Sequence, residues 1–224
     1  MCGRYTLSST PARINVRFEV TVDPHWKPSY NVAPGTEVLI IRTDADRGER
    51  IGEAAYWGFT PSWHKPDKPG PRPINARAEG LAGKPMFRNA FAKHRCIVPA
   101  DGFYEWKALN HGKQPWLIRM SDANVFGFAG IFEPGNETTA NRPSCAIVTT
   151  EANALMQPIH NRMPVILEPD DYAAWLDTDQ KQTEAIEKLL RPYAPDNLVA
   201  LPVSTRVNST RNNDENLIRP VDQP

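Results

Sequence analysis

Cys96-Ile97-Val98-Pro99-Ala100-Asp101-Gly102-Phe103-Tyr104-Glu105-Trp106 reads as a strand, an Asp-Gly turn or bulge, and a second strand. Both arms are rich in β-branched or aromatic residues, and the Asp-Gly pair between them breaks regular structure. The same grammar repeats outward. Upstream, Glu37 to Arg42 is a strand and Arg50 to Phe59 its partner, joined by a polar loop containing Gly48. Downstream, Pro115 to Met120, Val125 to Phe132, Ser144 to Thr149 and Leu198 to Val203 are further apolar strands. Helices are short and peripheral. Thr10-Pro11 reads as N-cap and first helical position of a helix over about 11–18. Met86 to His94 places Phe87 and Phe91 one turn apart. Pro169 starts another helix, with Tyr172, Trp175 and Leu176 on its apolar side, and Thr183 to Leu190 a last one before Pro192. Proline makes up 22 of 224 residues, about twice the usual ~5%, which disfavours long helices. The expected fold is α+β: a mainly antiparallel, barrel-like sheet with peripheral helices, as one domain over 1–224.

Composition excludes several classes. The 26 basic and 26 acidic residues cancel, so whole-chain charge makes no case for nucleic acid. Locally, residues 61–96 carry eight Lys/Arg against two acids, and 168–190 seven acids against two lysines. The basic segment could line an anion site or be a solvated loop. Three widely spaced cysteines, Cys2, Cys96 and Cys145, form no CxxC pair, so neither a zinc ribbon nor a redox dithiol is signalled. There is no signal-peptide pattern and no run of about 20 apolar residues. A reduced, soluble, cytoplasmic protein is expected, without metal or cofactor and without membrane contact. Walker, GxGxxG and HExxH motifs are absent from the sequence.

Five segments carry potential chemistry. In Met1-Cys2-Gly3-Arg4, removal of Met1 would leave Cys2 with an amine (pKa about 7.7–8.0) beside a thiol (about 8.5). Such a pair condenses with an aldehyde to an imine and closes a thiazolidine, or attacks an acyl carbon; a buried filler cysteine is the bland alternative. Thr60 to Pro73 is a long irregular loop in which Trp63 either caps the core or offers a base-stacking platform. In Ile74-Asn75-Ala76-Arg77-Ala78-Glu79, Asn75, Arg77 and Glu79 share one face of an extended strand. Glu105 stands between Tyr104 and Trp106; pointing inward it would suit proton transfer, pointing outward it would be an ordinary surface carboxylate. His160 lies in Gln157-Pro158-Ile159-His160-Asn161-Arg162-Met163-Pro164, where two prolines preorganise it.

Taken together, Met1-Cys2-Gly3-Arg4-Tyr5, Tyr30-Asn31-Val32-Ala33-Pro34-Gly35, Trp57-Gly58-Phe59-Thr60-Pro61-Ser62-Trp63, the 74–79 and 100–106 segments and Ile159-His160-Asn161-Arg162-Met163-Pro164 resemble the SOS-response-associated peptidase (SRAP) family. The resemblance implies a sensor of abasic sites in single-stranded DNA, which crosslinks through Cys2 to the ring-opened aldehyde and shields the lesion. It implies Cys2 as nucleophile, Asn75 as orienting group, Glu105 as proton shuttle, and His160 as the aid to proton transfer and reversal. It implies DNA contacts by Arg4, Asn31, Pro34, Trp63, Arg77, Met86, Thr149 and Arg162. The arginines are the phosphate contacts, and Pro34, Trp63 and Met86 splay and stack the strand. It also implies a monomer working on DNA, nucleoid-associated in a bacterium. One departure stands out: some relatives have two adjacent tryptophans where this chain has Trp63-His64.

Three rivals remain at the level of sequence. An N-terminal-nucleophile amidohydrolase also begins Met-Cys-Gly. Peptidase activity, including self-removal of Met1, fits the family's name. A plain single-strand-binding module would leave Cys2 inert.

Overall fold

In the computed structural model, residues 2–64, 70–136, 139–178 and 183–222 are described. Met1, and Lys65 and Lys68 of the basic loop, lie outside them. Thirteen strands form two sheets among the described residues. The first sheet has the order β13(Leu198–Pro202), β8(Gly112–Met120), β7(Gly102–Leu109), β1(Tyr5–Leu7), β2(Ser29–Val32), all antiparallel. The second runs β11(Arg162–Pro164), β10(Ser144–Glu151), β4(Arg50–Trp57), β3(Glu37–Thr43), β6(Arg95–Ala100), β9(Phe126–Glu133), β12(Ile166–Leu167). A pairing between β9 and β10 closes the middle of this sheet into a ring, the expected barrel. Two pairings are parallel, both on β10: with β4 and with β5(Asn75–Arg77). Ring closure removes free edges, which otherwise invite unwanted strand addition.

Asp101-Gly102 does not fold β6 back onto β7; it hands the chain from the second sheet to the first. Asp101 accepts hydrogen bonds from the Ser8 and Ser9 backbone N–H groups, which fixes the crossing beside β1. The expected helix over 11–18 is α1(Pro11–Phe18), capped by Thr10. The others are shorter: α2(Arg88–Lys93), α3(Tyr172–Leu176) after a 3₁₀ turn at Pro169–Asp171, and α4(Thr183–Glu187). None is long and apolar enough to cross a membrane. Tyr5 to Leu7 and Ser29 to Val32, the latter expected as the start of a rigid loop, are strands, because the first sheet supplies partners that local propensity does not reveal.

The core lies inside the ring and between the sheets. Tyr5 of the first sheet meets Trp57 and Phe128 of the second at ring distances of 5.3 and 6.0 Å, and Phe103 meets Phe128 at 6.0 Å. Close approach of β6 to β9 needs Gly127: a Cβ there would lie 2.4 Å from the Ile97 methyl. The acidic helical segment is anchored to the second sheet through Trp175. Trp175 Nε1 donates to the Cys96 carbonyl at 2.8 Å, and Arg95 Nε to the Trp175 carbonyl at 2.7 Å. On the outer face of the first sheet the C-terminal segment docks. Val203, Val207 and Leu217 pack on Tyr104 and Leu117 in a second, smaller cluster.

Candidate active site

Cys2 leads into β1 and is fully buried at the mouth of the space between the sheets. The Asn75 amide donates to its carbonyl at 2.9 Å. Asn75 stands opposite Ile147 on β10, and Arg77 opposite Thr149, so these side chains leave the sheet on one face. Asn75 Oδ1 and Thr149 Oγ1 are both buried without a hydrogen-bond partner among the described residues. Buried polar atoms are normally satisfied, so the cleft beside Cys2 has unused hydrogen-bonding capacity.

Glu105 arrives from the other sheet. On β7, Tyr104 and Trp106 face the docked C-terminal segment, so Glu105 and Phe103 face inward by strand alternation. Glu105 is 3% exposed; the inward orientation is the one that holds. Burial pushes the Cys2 thiol well above its ordinary value, the Glu105 carboxylate pushes it further, and the Arg4 backbone N–H opposes both. Cys2 is therefore a neutral thiol near pH 7. Tyr5, which sequence reading did not single out, is also fully buried. Burial, then Cys145 and Cys2, push its hydroxyl above the ordinary value, and it has no hydrogen-bond partner among the described residues. No spacing rule marks it, because its proximity to Cys145 arises from packing of the two sheets.

His160 belongs to the neighbouring ladder. Its Nδ1 lies 3.0 Å from the Arg162 backbone nitrogen and 3.2 Å from the Arg162 carbonyl, which ties the ring to the start of β11. The Arg162 guanidinium donates to both Glu79 oxygens at 2.5 and 2.9 Å and to the Thr149 carbonyl at 2.7 Å. That bidentate pair holds Glu79 below the usual carboxylate range. Cys2 is thus bonded directly to Asn75 and lies within electrostatic reach of Glu105. His160 connects to this group through Arg162 and Thr149, one strand away.

The remaining expected DNA contacts divide. Arg77 is exposed, and Trp63 is 62% exposed on a turn closed by the His64 N–H donating to the Pro61 carbonyl. Trp63 does not cap the core. His64 does turn inward, at 8% exposure, so it offers no second platform. Met86 is half-buried against the main core, and Pro34 is half-buried in the loop after β2. Arg4 and Asn31 are heavily committed elsewhere. Arg4 donates to Asn31 Oδ1 at 2.7 Å and the Val207 carbonyl at 2.9 Å, and lies over Trp106 at 6.0 Å. The buried Asn31 amide reaches the carbonyls of Val207, Ser209 and Asn212 at 3.3, 3.0 and 2.8 Å. These two residues hold the C-terminal segment beside the cleft.

Comparison with known proteins bears on this arrangement. The sequence profile of the SOS response associated peptidase family matches residues 1–210. The chain is 42% identical over 223 residues to the abasic site processing protein YoqW of Bacillus subtilis, covering 97% of this chain and 99% of that protein. It is 34% identical to YedK of Escherichia coli, also named an abasic site processing protein, over 99% and 100% of the two chains. With the abasic site processing protein HMCES of Gallus gallus it shares 33% identity, over 99% of this chain and 78% of that one. A solved structure from Bacteroides thetaiotaomicron superimposes with a TM-score of 0.86 at 25% identity, over 98% of this chain. The match over nearly the whole length, on a fold in which the N-terminal cysteine, Asn75 and Glu105 converge, establishes that the chain belongs to the SOS response associated peptidase (SRAP) family.

Proposed function

We propose that this protein recognises abasic sites in single-stranded DNA and captures them as a thiazolidine through Cys2 once Met1 is removed. The observation that carries the reading is the meeting of Cys2 with Asn75 and Glu105 from two different sheets. Relatives named for abasic site processing support the choice of lesion.

The chemistry follows from the residues present. The neutral Cys2 amine attacks C1′ of the ring-opened sugar: an N–C bond forms, the C=O π pair moves to oxygen, and a first proton passes from nitrogen to that oxygen to give a carbinolamine. Glu105 takes the second proton released by nitrogen and returns it to the departing hydroxyl, so water leaves and an imine remains. The thiol then adds to the imine carbon. Its sulfur forms the S–C bond and its proton passes to nitrogen, closing the five-membered ring. A buried neutral thiol suits this order, because the amine acts first and the thiol serves as trap. The same raised thiol weighs against the amidohydrolase reading, which needs a ready thiolate. Asn75 fixes the Cys2 backbone so that the amine faces the cleft. His160 supplies a proton to the imine nitrogen in reversal. Arg77 and Arg162 take backbone phosphates, Arg162 by trading its bond to the exposed Glu79, and Trp63 stacks on a base. Arg4, Asn31, Pro34, Met86 and Thr149 shape the cleft walls.

The test is a denaturing gel of protein incubated with uracil-excised single-stranded DNA. A shifted band is expected for the wild type and none for Cys2→Ala. Absence of the first, or persistence of the second, refutes the proposal. Retained crosslinking by a variant that keeps Met1 would overturn the part played by the amine.

A further inference from the structure

The outer face of the first sheet holds a second cleft, of about 370 Å³, unrelated to the residues used above. Three arginines line it: Arg13 from α1, Arg119 from β8 and Arg219 from the C-terminal segment. Two acids also line it, and both are engaged. Asp101 accepts from the Ser8 and Ser9 N–H groups and hydroxyls, and Glu215 pairs with Arg219 at 2.7 Å. Arg13 donates to the Ala123 carbonyl at 3.2 Å. The half-buried Arg119 guanidinium meets no acceptor among the described residues. Beside it, Gly102 is the ladder partner of Arg119: a Cβ there would lie 2.9 Å from the Ile118 carbonyl and 3.3 Å from Arg119 Cβ. The N-terminus of α1 opens beside Ser8 and Ser9 and adds a positive field.

We propose that this cleft binds a phosphate group. A planar guanidinium with no protein partner, flanked by two more, matches the donor geometry of a phosphate better than that of a lone halide. The volume admits a phosphorylated sugar or one nucleotide rather than only an ion. The Arg219 wall lies beyond residues 1–210, outside the family match. Ser8 lies six positions along the chain from Cys2, at most about 22 Å. The phosphate therefore belongs either to a small phosphorylated molecule or to a nucleic acid strand extending past Cys2. Only the second source rests on the function proposed above.

The experiment has two arms. In the first, inorganic pyrophosphate is titrated while the arginine Nε–H resonances are followed by NMR. Saturable shifts at Arg13, Arg119 and Arg219 are expected, with affinity reduced about tenfold in Arg119→Gln, the scale of one charge-assisted hydrogen bond. In the second, a Cys2→Ala background measures reversible binding of abasic single strands with short and long flanks. An affinity gain with flank length that Arg119→Gln abolishes assigns the phosphate to the strand. No such gain, with saturable pyrophosphate binding, assigns it to a small molecule. Failure of the wild type to crosslink leaves the first arm readable. Arg13→Gln, on an exposed helix position, serves if Arg119→Gln lowers the melting temperature. No saturable shift in the first arm and no arginine-dependent length effect in the second overturns the proposal.

Discussion

Replacing Glu105 by Gln separates proton transfer from simple packing at the proposed site. Gln has nearly the same volume, and Glu105 is 3% exposed, so the fold is retained and the cleft keeps its shape. Two effects of opposite sign follow. The carboxylate is the second cause, after burial, of the raised Cys2 thiol. Its loss makes the thiol more acidic, while burial still holds it above the ordinary range. If thiolate nucleophilicity limited the reaction, the variant would be faster. If Glu105 shuttles the proton through carbinolamine and imine, the variant loses general acid–base catalysis, about 10²–10⁴-fold. That corresponds to about 2.7–5.5 kcal/mol of barrier. The assay is single-turnover crosslinking to an abasic single strand, resolved on denaturing gels. Alkylation of Cys2 across alkaline pH, read by peptide mass, reports the thiol in parallel. Slower crosslinking with easier alkylation is the expected pair. Crosslinking at the wild-type rate, or faster, refutes the assignment of Glu105 as proton shuttle.

Three further outcomes can be stated. Trp63→Ala should weaken single-strand affinity by the stacking of one base, about 1–3 kcal/mol, with an unchanged melting temperature because Trp63 is 62% exposed; fluorescence anisotropy and calorimetry check the two halves. Asn31→Ala should act first on stability: it releases three carbonyls of the C-terminal segment, at a cost of about 1–3 kcal/mol, seen as a lower melting temperature and faster amide exchange at residues 207–217. Burial raises the Glu133 carboxyl above its ordinary value, so the native state holds this proton more tightly than the unfolded chain. Its contribution favours folding below the unfolded carboxylate pKa and is lost as pH rises through the raised folded value. Glu133→Gln should flatten that decline, narrowing the difference from wild type at pH 4 and leaving the variant more stable at pH 7 by thermal melts; an unchanged pH profile would refute it.

Apolar, β-branched and aromatic runs bounded by turn residues were enough to read most strands from the sequence, and the Thr10-Pro11 cap to read α1, because these signals are local. The inward aim of Glu105 was left open there. It follows only once Tyr104 and Trp106 are seen packed under the C-terminal segment. Strands β1 and β2 were illegible because they are short and owe their form to partners far along the chain. The ring closure through β10 is likewise a long-range event, joining segments that no local signal connects. The sequence also named Cys2, Asn75, Glu105 and His160, but through resemblance, since spacing carries no information on distance between residues 2, 75 and 105. Tertiary structure alone decided that Cys2 and Glu105 share a desolvated cleft, and that His64 turns inward while Trp63 does not. It alone showed that Arg4 and Asn31 hold the C-terminal segment. The reason is physical: a side chain's type is local, but its burial, its charge neighbours and its hydrogen-bond partners are set by which strands meet.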